Sequence, residues 1–348
     1  MRLMPEQLRE IAKTIIEGLG ASHEEAALVA ESLVRANMRG VESHGVNYLK
    51  LISDRVEADM INVPTKLTLV KEDDTIAIID GGNGLGQVAA YRAMKICIQQ
   101  ARDCGIALTL VRNTNNIGFL AFYTLMAAEQ GMIGICSCNA APSMTPWGGS
   151  EPFFGTNPIS ISIPSGSELP IVIDMSQSVV ARGKIRRAAL LKQQIPNGWA
   201  LDQSGVSTRD PEAALKGTLL PIGGPKGSGL ALAVDILAGM LSGSKYGPDV
   251  RTFHQLLGPT GVGVFSMAIN TESFMPSGQF GLLIDNYIRS IKKIRKAGGV
   301  SQIYLPGEIE FEKEKRSHAE GIEIDPFVAE TLNQILNKIG SSLRKVGD

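Results

Sequence analysis

The amino-acid sequence predicts a mixed α/β chain, layered around a sheet and opened by a helical segment. Three observations carry that expectation. Apolar residues recur at helical spacing over residues 8–34. From about residue 67, short apolar runs of strand length alternate with longer periodic stretches. Glycine- and proline-rich turns cluster between 140 and 230. Helical and strand periodicities alternating along one chain, with short connections, point to a two-layer or three-layer α/β or α+β fold.

Each element follows from its local pattern. Leu8, Ile11, Ile15 and Leu19 share one helical face, and Gly20 ends that helix. Ser22 followed by Glu25 is a capping box opening a second helix, which carries Ala27, Val29, Leu33 and Val34 toward a loop at Arg39. Segments 67–70 and 76–79 read as strands, and 88–103 as a helix. Strand 107–112, helix 120–130 and strand 133–137 follow. Strands are expected at 159–163 and 171–174, helices at 179–191 and 226–241, a strand at 262–269, and helices at 281–297 and 326–339. No internal repeat or low-complexity tract interrupts the series. With approximate boundaries, residues 1–118 plus 276–348 are expected to form a helical, substrate-side domain, and 119–275 a cofactor-binding domain.

Composition excludes several functions. At 348 residues the chain can bury a large core. Its net charge of −1, with dispersed basic residues, does not predict a nucleic-acid surface. No apolar run reaches the roughly 18 residues of a membrane span. Residues 1–6 lack a signal-type apolar core. Four cysteines suit a reducing compartment, so a cytoplasmic location is expected. Cys136 and Cys138 read as core residues rather than metal ligands, and no metal is expected.

Chemistry concentrates in a few segments. Arg39–Asn47 holds His44, one of four histidines, beside Ser43 and Gly45. An imidazole titrating near neutral pH after an apolar helix reads either as an acid/base group or as a helix-end packing residue. Residues 80–86 (Asp-Gly-Gly-Asn-Gly-Leu-Gly) sit between strand and helix, where a dinucleotide fingerprint would lie. Their spacing does not match G-x-G-x-x-G, and a flexible turn is the better reading. The loop 146–158 is long enough to suggest function. Residues 223–229, with Lys226 at a helix start, suggest an anion site.

Taken together, the Arg39–Asn47 segment, the 147–158 loop and Val172-Ile173-Asp174-Met175-Ser176 are similar to the malate/L-lactate/ureidoglycolate dehydrogenase family. The resemblance continues through Ala181-Arg182-Gly183-Lys184-Ile185, 197–202, Asp210-Pro211, 223–229, Leu305-Pro306-Gly307-Glu308 and 321–324, spanning nearly the whole chain. It implies a non-Rossmann NAD(P)-binding fold and a homodimeric oxidoreductase using NAD or NADP on a 2-hydroxy/2-oxo acid. It also implies site roles. His44 is the acid/base group with Ser43 beside it. Asp174, Met175, Ser176, Pro225, Lys226, Gly307 and Glu308 contact the cofactor, and Thr156 and Asn157 lie near nicotinamide and substrate.

Two positions depart from the family pattern. Asn116 stands where members often carry a histidine taken as proton acceptor; it cannot titrate but can donate a hydrogen bond to a carbonyl. Tyr48 stands where an arginine commonly grips the substrate carboxylate, leaving one hydroxyl in place of a bidentate clamp, so that either a cation comes from elsewhere, with Arg55 nearby in sequence, or the substrate is atypical. Roles for Trp147, Gln177 and Arg182 stay open, and His23, His254 and His318 are expected to face solvent. An altered hydroxy-acid dehydrogenase, an imine-acid reductase and a non-catalytic cofactor-binding homologue remain distinct readings.

Overall fold

The computed structural model describes residues 1–341 together with 343 and 346. A short strand β1 (Arg2–Leu3) leads into helices α1 (Pro5–Gly18), α2 (His23–Met38) and α3 (Tyr48–Glu57). The Ser22 hydroxyl accepts from the Glu25 amide while the Glu25 carboxylate accepts from the Ser22 amide, completing the expected cap of α2. Leu8, Ile15, Leu33, Val34 and Leu49 from these helices form one buried cluster. Ala26 and Ala30, rather than Ala27, complete the buried stripe of α2.

Strands β2 (Thr68–Glu72) and β3 (Ile76–Asp80), helix α4 (Gly86–Cys104), strand β4 (Ile106–Thr114), helix α5 (Ala121–Ala128) and strands β5 (Met132–Cys138), β6 (Ile159–Ile163) and β7 (Ile171–Met175) follow. A third section holds α6 (Arg182–Leu190), β8 (Ala200–Leu201), α7 (Pro211–Lys216), β9 (Thr218–Leu219) and α8 (Pro225–Val234). Then come β10 (Val262–Asn270), α9 (Gln279–Lys293), α10 (Glu308–Glu320), β11 (Ile322–Glu323) and α11 (Pro326–Lys338).

One seven-stranded sheet, ordered β2-β3-β4-β10-β5-β6-β7, organises these elements. Only β3 and β4 are parallel; every other neighbouring pair is antiparallel. The sheet is therefore not a doubly wound parallel one, which agrees with the non-Rossmann expectation. It also crosses residue 118, drawing β2–β4 from one expected domain and β5–β7 with β10 from the other. Helices α4 and α5 cover one face through Ala89, Met94, Cys97 and Phe122, with Cys136 and Cys138 in that core. Val234 and Ala238 cover the other face, against Leu110 and Phe265. Three layers result.

Element boundaries shift for identifiable reasons. The helix expected from 179 starts at Arg182, because the Val179 amide donates to the Leu220 carbonyl and Ser178 bridges to Pro221. The helix expected over 226–241 changes after Val234 into a π-helical turn, Asp235–Met240. There the buried Asp235 carboxylate accepts from the Asn139 amide and the Gly247 N–H, and a Cβ at Gly263 would lie 1.8 Å from the Ala238 carbonyl. Helices α3, α7 and α10 carried no sequence expectation. Helix α10 shows no apolar stripe because it docks by charge: Glu314 accepts from Arg35 (2.9 Å) and Arg39 (2.5 Å), and Arg39 stacks 4.4 Å over Phe311.

Candidate active site

The turn after α2 carries the most reactive constellation. Glu42–His44 forms a 3-10 turn that leads directly into α3, so His44 and Tyr48 lie one helical turn apart. Their rings stack at 5.6 Å between centroids, with only 11° between planes. Tyr48 stacks in turn on Phe253 at 5.8 Å, and His254 meets Tyr48 edge-on at 6.2 Å. Ser43 Oγ lies 3.0 Å from His44 Nδ1. When Nδ1–H donates to Ser43, Nε2 is left as the free acceptor that a proton-abstracting imidazole needs.

Surrounding protein sets the charge of this group. Desolvation, then the neighbouring His254, lowers the His44 pKa to about 4, although the residue keeps part of its accessible surface. Desolvation pushes the Tyr48 phenol up to about 12, opposed by the Arg186 charge. His44 is therefore neutral and Tyr48 a neutral donor at pH 7. His254 is exposed, as its polar neighbours suggested, but it also borders the site, and its own pKa is lowered by desolvation, Arg186 and Arg182.

Arg55 explains how His254 is held. Its guanidinium is fully buried, donates to the carbonyls of Gln255 (2.9 Å) and Gly258 (2.7 Å), and lies 4.9 Å from the Phe253 ring. It anchors the 253–258 loop and is not free to grip a substrate carboxylate, which corrects the expectation drawn from its position in sequence. At the other end of that loop the Thr260 hydroxyl bonds Asn115 Oδ1 (2.9 Å). Next to Asn115, Asn116 Oδ1 accepts from the Gly118 amide (2.9 Å), and its Nδ2 carries no bond among the described residues.

The 80–86 turn fills itself. Asp80 accepts from the Gly82 amide, Arg112 and Asn113. A Cβ at Gly82 would lie 2.3 Å from the Lys66 carbonyl, and one at Gly86 2.3 Å from the Asn116 carbonyl. These glycines admit the chain's own backbone where a phosphate loop would leave room. The turn is a crowded joint rather than a flexible one.

The residues expected at a cofactor converge along the β7 edge. The Val172 amide donates to the Pro306 carbonyl (2.9 Å), and Gly307 (φ 95°) approaches Val172 so closely that a Cβ would meet it at 2.8 Å. Residues 171–175 and 305–308 are thereby neighbours. Asp174 and Met175 are exposed. Asp174 accepts from the Ala121 amide at the start of α5 (2.8 Å); surrounding protein pushes its carboxyl up to about 6, opposed by that bond and by Arg39. Its exposed surface and the helix terminus both favour the anion, which we take as the form at pH 7. Ser176 Oγ bonds Ser178 Oγ (3.1 Å). Glu308 is buried, accepts from the Leu305 amide (3.0 Å) and pairs with Lys292, so its carboxylate shapes the loop.

Pairing of 177–179 with 220–222 brings Pro225 and Lys226 toward the same edge. Lys226 is exposed, but the amides of 224, 226, 227 and 228 all donate to carbonyls of 221–224. The anion site expected of this turn therefore rests on the lysine side chain rather than on backbone donors. Trp147 lies against Gly224 and donates its amide to Ser228 Oγ (2.9 Å). Asn157 is fully buried, with its amide used on both sides, by Ala140 N–H (3.0 Å) and the Ala231 carbonyl (2.9 Å), so it clamps a loop. Thr156 is half-buried, and its carbonyl accepts from the Gln177 amide (2.8 Å). Gln177 itself is fully buried with neither side-chain oxygen nor nitrogen bonded among the described residues. Burial pushes the Cys138 thiol up to about 12, with Asp174 adding to the rise.

Sequence reasoning missed Phe253 and His254 as site members. The only available signal was an aromatic residue beside one of four histidines in a polar loop.

Comparison with known proteins gives a consistent result. A family model described as malate/L-lactate dehydrogenase matches residues 3–333. Malate dehydrogenase of Pyrococcus abyssi is 38% identical, covering 98% of this chain and 95% of that protein. The L-sulfolactate dehydrogenase of Methanocaldococcus jannaschii is 36% identical over 99% of this chain and 98% of its own. A sulfolactate dehydrogenase structure from that organism superposes with a TM-score of 0.93, covering 98% of both chains at 36% identity.

Proposed function

Because the chain belongs to the malate/L-lactate dehydrogenase family, whose relatives are hydroxy-acid dehydrogenases, we propose that it interconverts a 2-hydroxy acid and a 2-oxo acid with NAD or NADP, His44 moving the proton. The observation that carries this reading is the neutral, partly desolvated imidazole, oriented by Ser43 and stacked on Tyr48.

The cofactor-side residues fit a nicotinamide dinucleotide. Exposed Lys226 supplies a cation for phosphate, Met175 an exposed apolar surface, and the unpaired buried amide of Gln177 matches a carboxamide in donor and acceptor pattern. An unpaired buried amide costs about 1–3 kcal/mol, so a bonding group beside it would be stabilising. When bound, the nicotinamide supplies or accepts the hydride. His44 Nε2 takes the hydroxyl proton in oxidation and returns it to the carbonyl oxygen in reduction. Tyr48 Oη and Asn116 Nδ2 donate to substrate oxygens, and Thr156 borders the substrate. Of the relatives, an Escherichia coli ureidoglycolate dehydrogenase is named for NAD(+), and a Chromohalobacter salexigens (2R)-3-sulfolactate dehydrogenase for NADP(+).

We further propose a cytoplasmic homodimer. No described helix is long and apolar enough to cross a membrane. Leu230, Leu232, Ile236, Met240 and Leu241 leave a continuous apolar face open on α8 and its π-helical extension, which a second copy would cover. A second reading, reduction of a cyclic imine acid, draws on the likeness to a delta1-piperideine-2-carboxylate reductase of Pseudomonas syringae (TM-score 0.85, 28% identity).

The test is a screen of malate, lactate, sulfolactate and ureidoglycolate with NAD and NADP, and of oxo acids and cyclic imine acids with NADH and NADPH. Turnover of hydroxy or oxo acids supports the first reading, and turnover of imine acids alone supports the second. A change in NADH fluorescence with no turnover would contradict both.

A further inference from the structure

Strand β6 reverses the usual burial pattern. Ser160 and Ser162 are fully buried toward α5, where both hydroxyls bond Thr124 Oγ1, while Ile159, Ile161 and Ile163 take the other face and stay partly open. Strand register extends that face across the sheet. Ile76, Leu108, Met267, Ile135, Ile161 and Ile173 are successive cross-strand neighbours in one row over six strands, and none is buried. Ile106, Ile269, Ile133, Ile163 and Ile171 make the next row, equally unburied. The cluster of Val234 and Ala238 with Leu110 and Phe265 packs against Leu108, Ile135 and Met267 of the first row. Ile161, Ile173 and the whole second row lie outside that packing.

Residues 272–306 hold the complementary feature. They leave the sheet at Thr271, whose hydroxyl donates to the Gly131 carbonyl, and return where Pro306 accepts from the Val172 amide. Within that span only Asp285 and Ile288 are buried. Asp285 accepts from the amides of Gly166 (3.0 Å), Ser167 (2.7 Å) and Glu168 (3.1 Å), and a Cβ at Gly281 would lie 3.0 Å from the Gly166 nitrogen. One side of α9 is thereby pinned to the turn between β6 and β7. Leu283 (51% exposed) and Tyr287 (60% exposed), four residues apart, share a different side. That apolar side faces water, and the pin keeps it from turning inward.

We propose that residues 272–306 are a dimerisation arm, whose helix α9 lays Leu283 and Tyr287 on the open isoleucine rows of a second copy. This inference rests on the homodimer reading above and names the surfaces that form it. Each copy carries one arm and one open face, so a two-fold axis satisfies both pairs at once and closes the assembly. With roughly 100 Å² open on each of Leu282, Leu283, Tyr287 and Ile294, and about 40 Å² on each row residue, a copy offers on the order of 800 Å². That exceeds the patch of about 300–600 Å² on a typical monomer and matches one partner's share of a standard interface.

The experiment combines sedimentation equilibrium with maleimide labelling of Ile161→Cys, the latter in a Cys104→Ser background because Cys104 is an exposed thiol. Wild type should be a dimer at micromolar concentration. Leu283→Glu with Tyr287→Glu should weaken the dimer at least about 100-fold, the scale of two buried apolar side chains, with far-UV circular dichroism unchanged. Ile161→Cys should label several-fold more slowly with the arm intact than with those two substitutions. A dimer that survives the double substitution, or equal labelling in both proteins, overturns the pairing of arm and sheet while the homodimer reading stands. A wild-type chain that sediments as a monomer overturns the homodimer reading itself. Should the double variant fail to fold, dilution of the Ile161→Cys protein decides: labelling should quicken as the dimer dissociates, and a rate independent of concentration overturns the arm.

Discussion

The two sides of the candidate site are built in opposite ways. The side proposed to move the proton is a stack of rings, His44, Tyr48 and Phe253, with His254 at its edge. It is assembled from one helix turn and one loop. The side proposed for the cofactor is a strand edge where three distant segments meet, 171–176, 220–226 and 305–308, and its side chains Asp174, Met175 and Lys226 are exposed. Packing tunes protonation on the first side, and exposure leaves groups free to meet a large polar ligand on the second. The difference implies that substitutions should separate chemistry from cofactor affinity.

The largest separation is expected at His44. His44→Ala should lower kcat by about 10²–10⁴-fold, the usual contribution of a positioned acid/base group. NADH affinity measured by fluorescence titration should stay within about twofold, so a parallel loss of both would merge the two sides. Next comes Arg55→Met, which leaves the carbonyls of Gln255 and Gly258 without their donor. It should cost about 2–4 kcal/mol of unfolding free energy in urea and raise substrate KM as the Phe253–His254 loop loosens. An unchanged denaturation midpoint would remove Arg55 from the account.

Lys226→Ala sharpens the comparison from the other side. NADH Kd should rise about 10–150-fold, the scale of one hydrogen bond to a charged group, with kcat at saturating cofactor nearly unchanged. Equal NADH binding by wild type and variant would reject the phosphate role. The pH profile gives a smaller, diagnostic effect. Oxidation needs neutral His44, so with a pKa near 4 the kcat/KM for the hydroxy acid should stay flat from pH 7 to about 5. It should then fall as protonation sets in through pH 4. A fall already centred near 6.5 would show an unperturbed imidazole, contrary to the desolvation described.

Much of this was legible in the sequence where local periodicity and caps decide structure. The Ser22–Glu25 box, strand 159–163 and the core placement of Cys136 and Cys138 follow from neighbours in the chain. Helix α10 was not legible, because it docks through Glu314 to Arg35 and Arg39 rather than by an apolar stripe. The role of a glycine was equally hidden. Both 80–86 and 223–229 read as glycine-rich turns before helices, yet only contacts across the fold reveal that Gly82 and Gly86 admit backbone. At the site, His44 and Tyr48 stood out because they are close in sequence. Phe253 and His254 reach them through Arg55, about 200 residues away, and no local pattern encodes that distance.

The most direct test of the proton-transfer assignment is a crystal structure with NADH and oxamate, an unreactive oxo-acid analogue. An oxamate oxygen should lie within about 3.2 Å of His44 Nε2, with the nicotinamide ring along the Met175–Gln177 edge. A nicotinamide seated away from that edge, with His44 contacting neither ligand, would contradict that assignment.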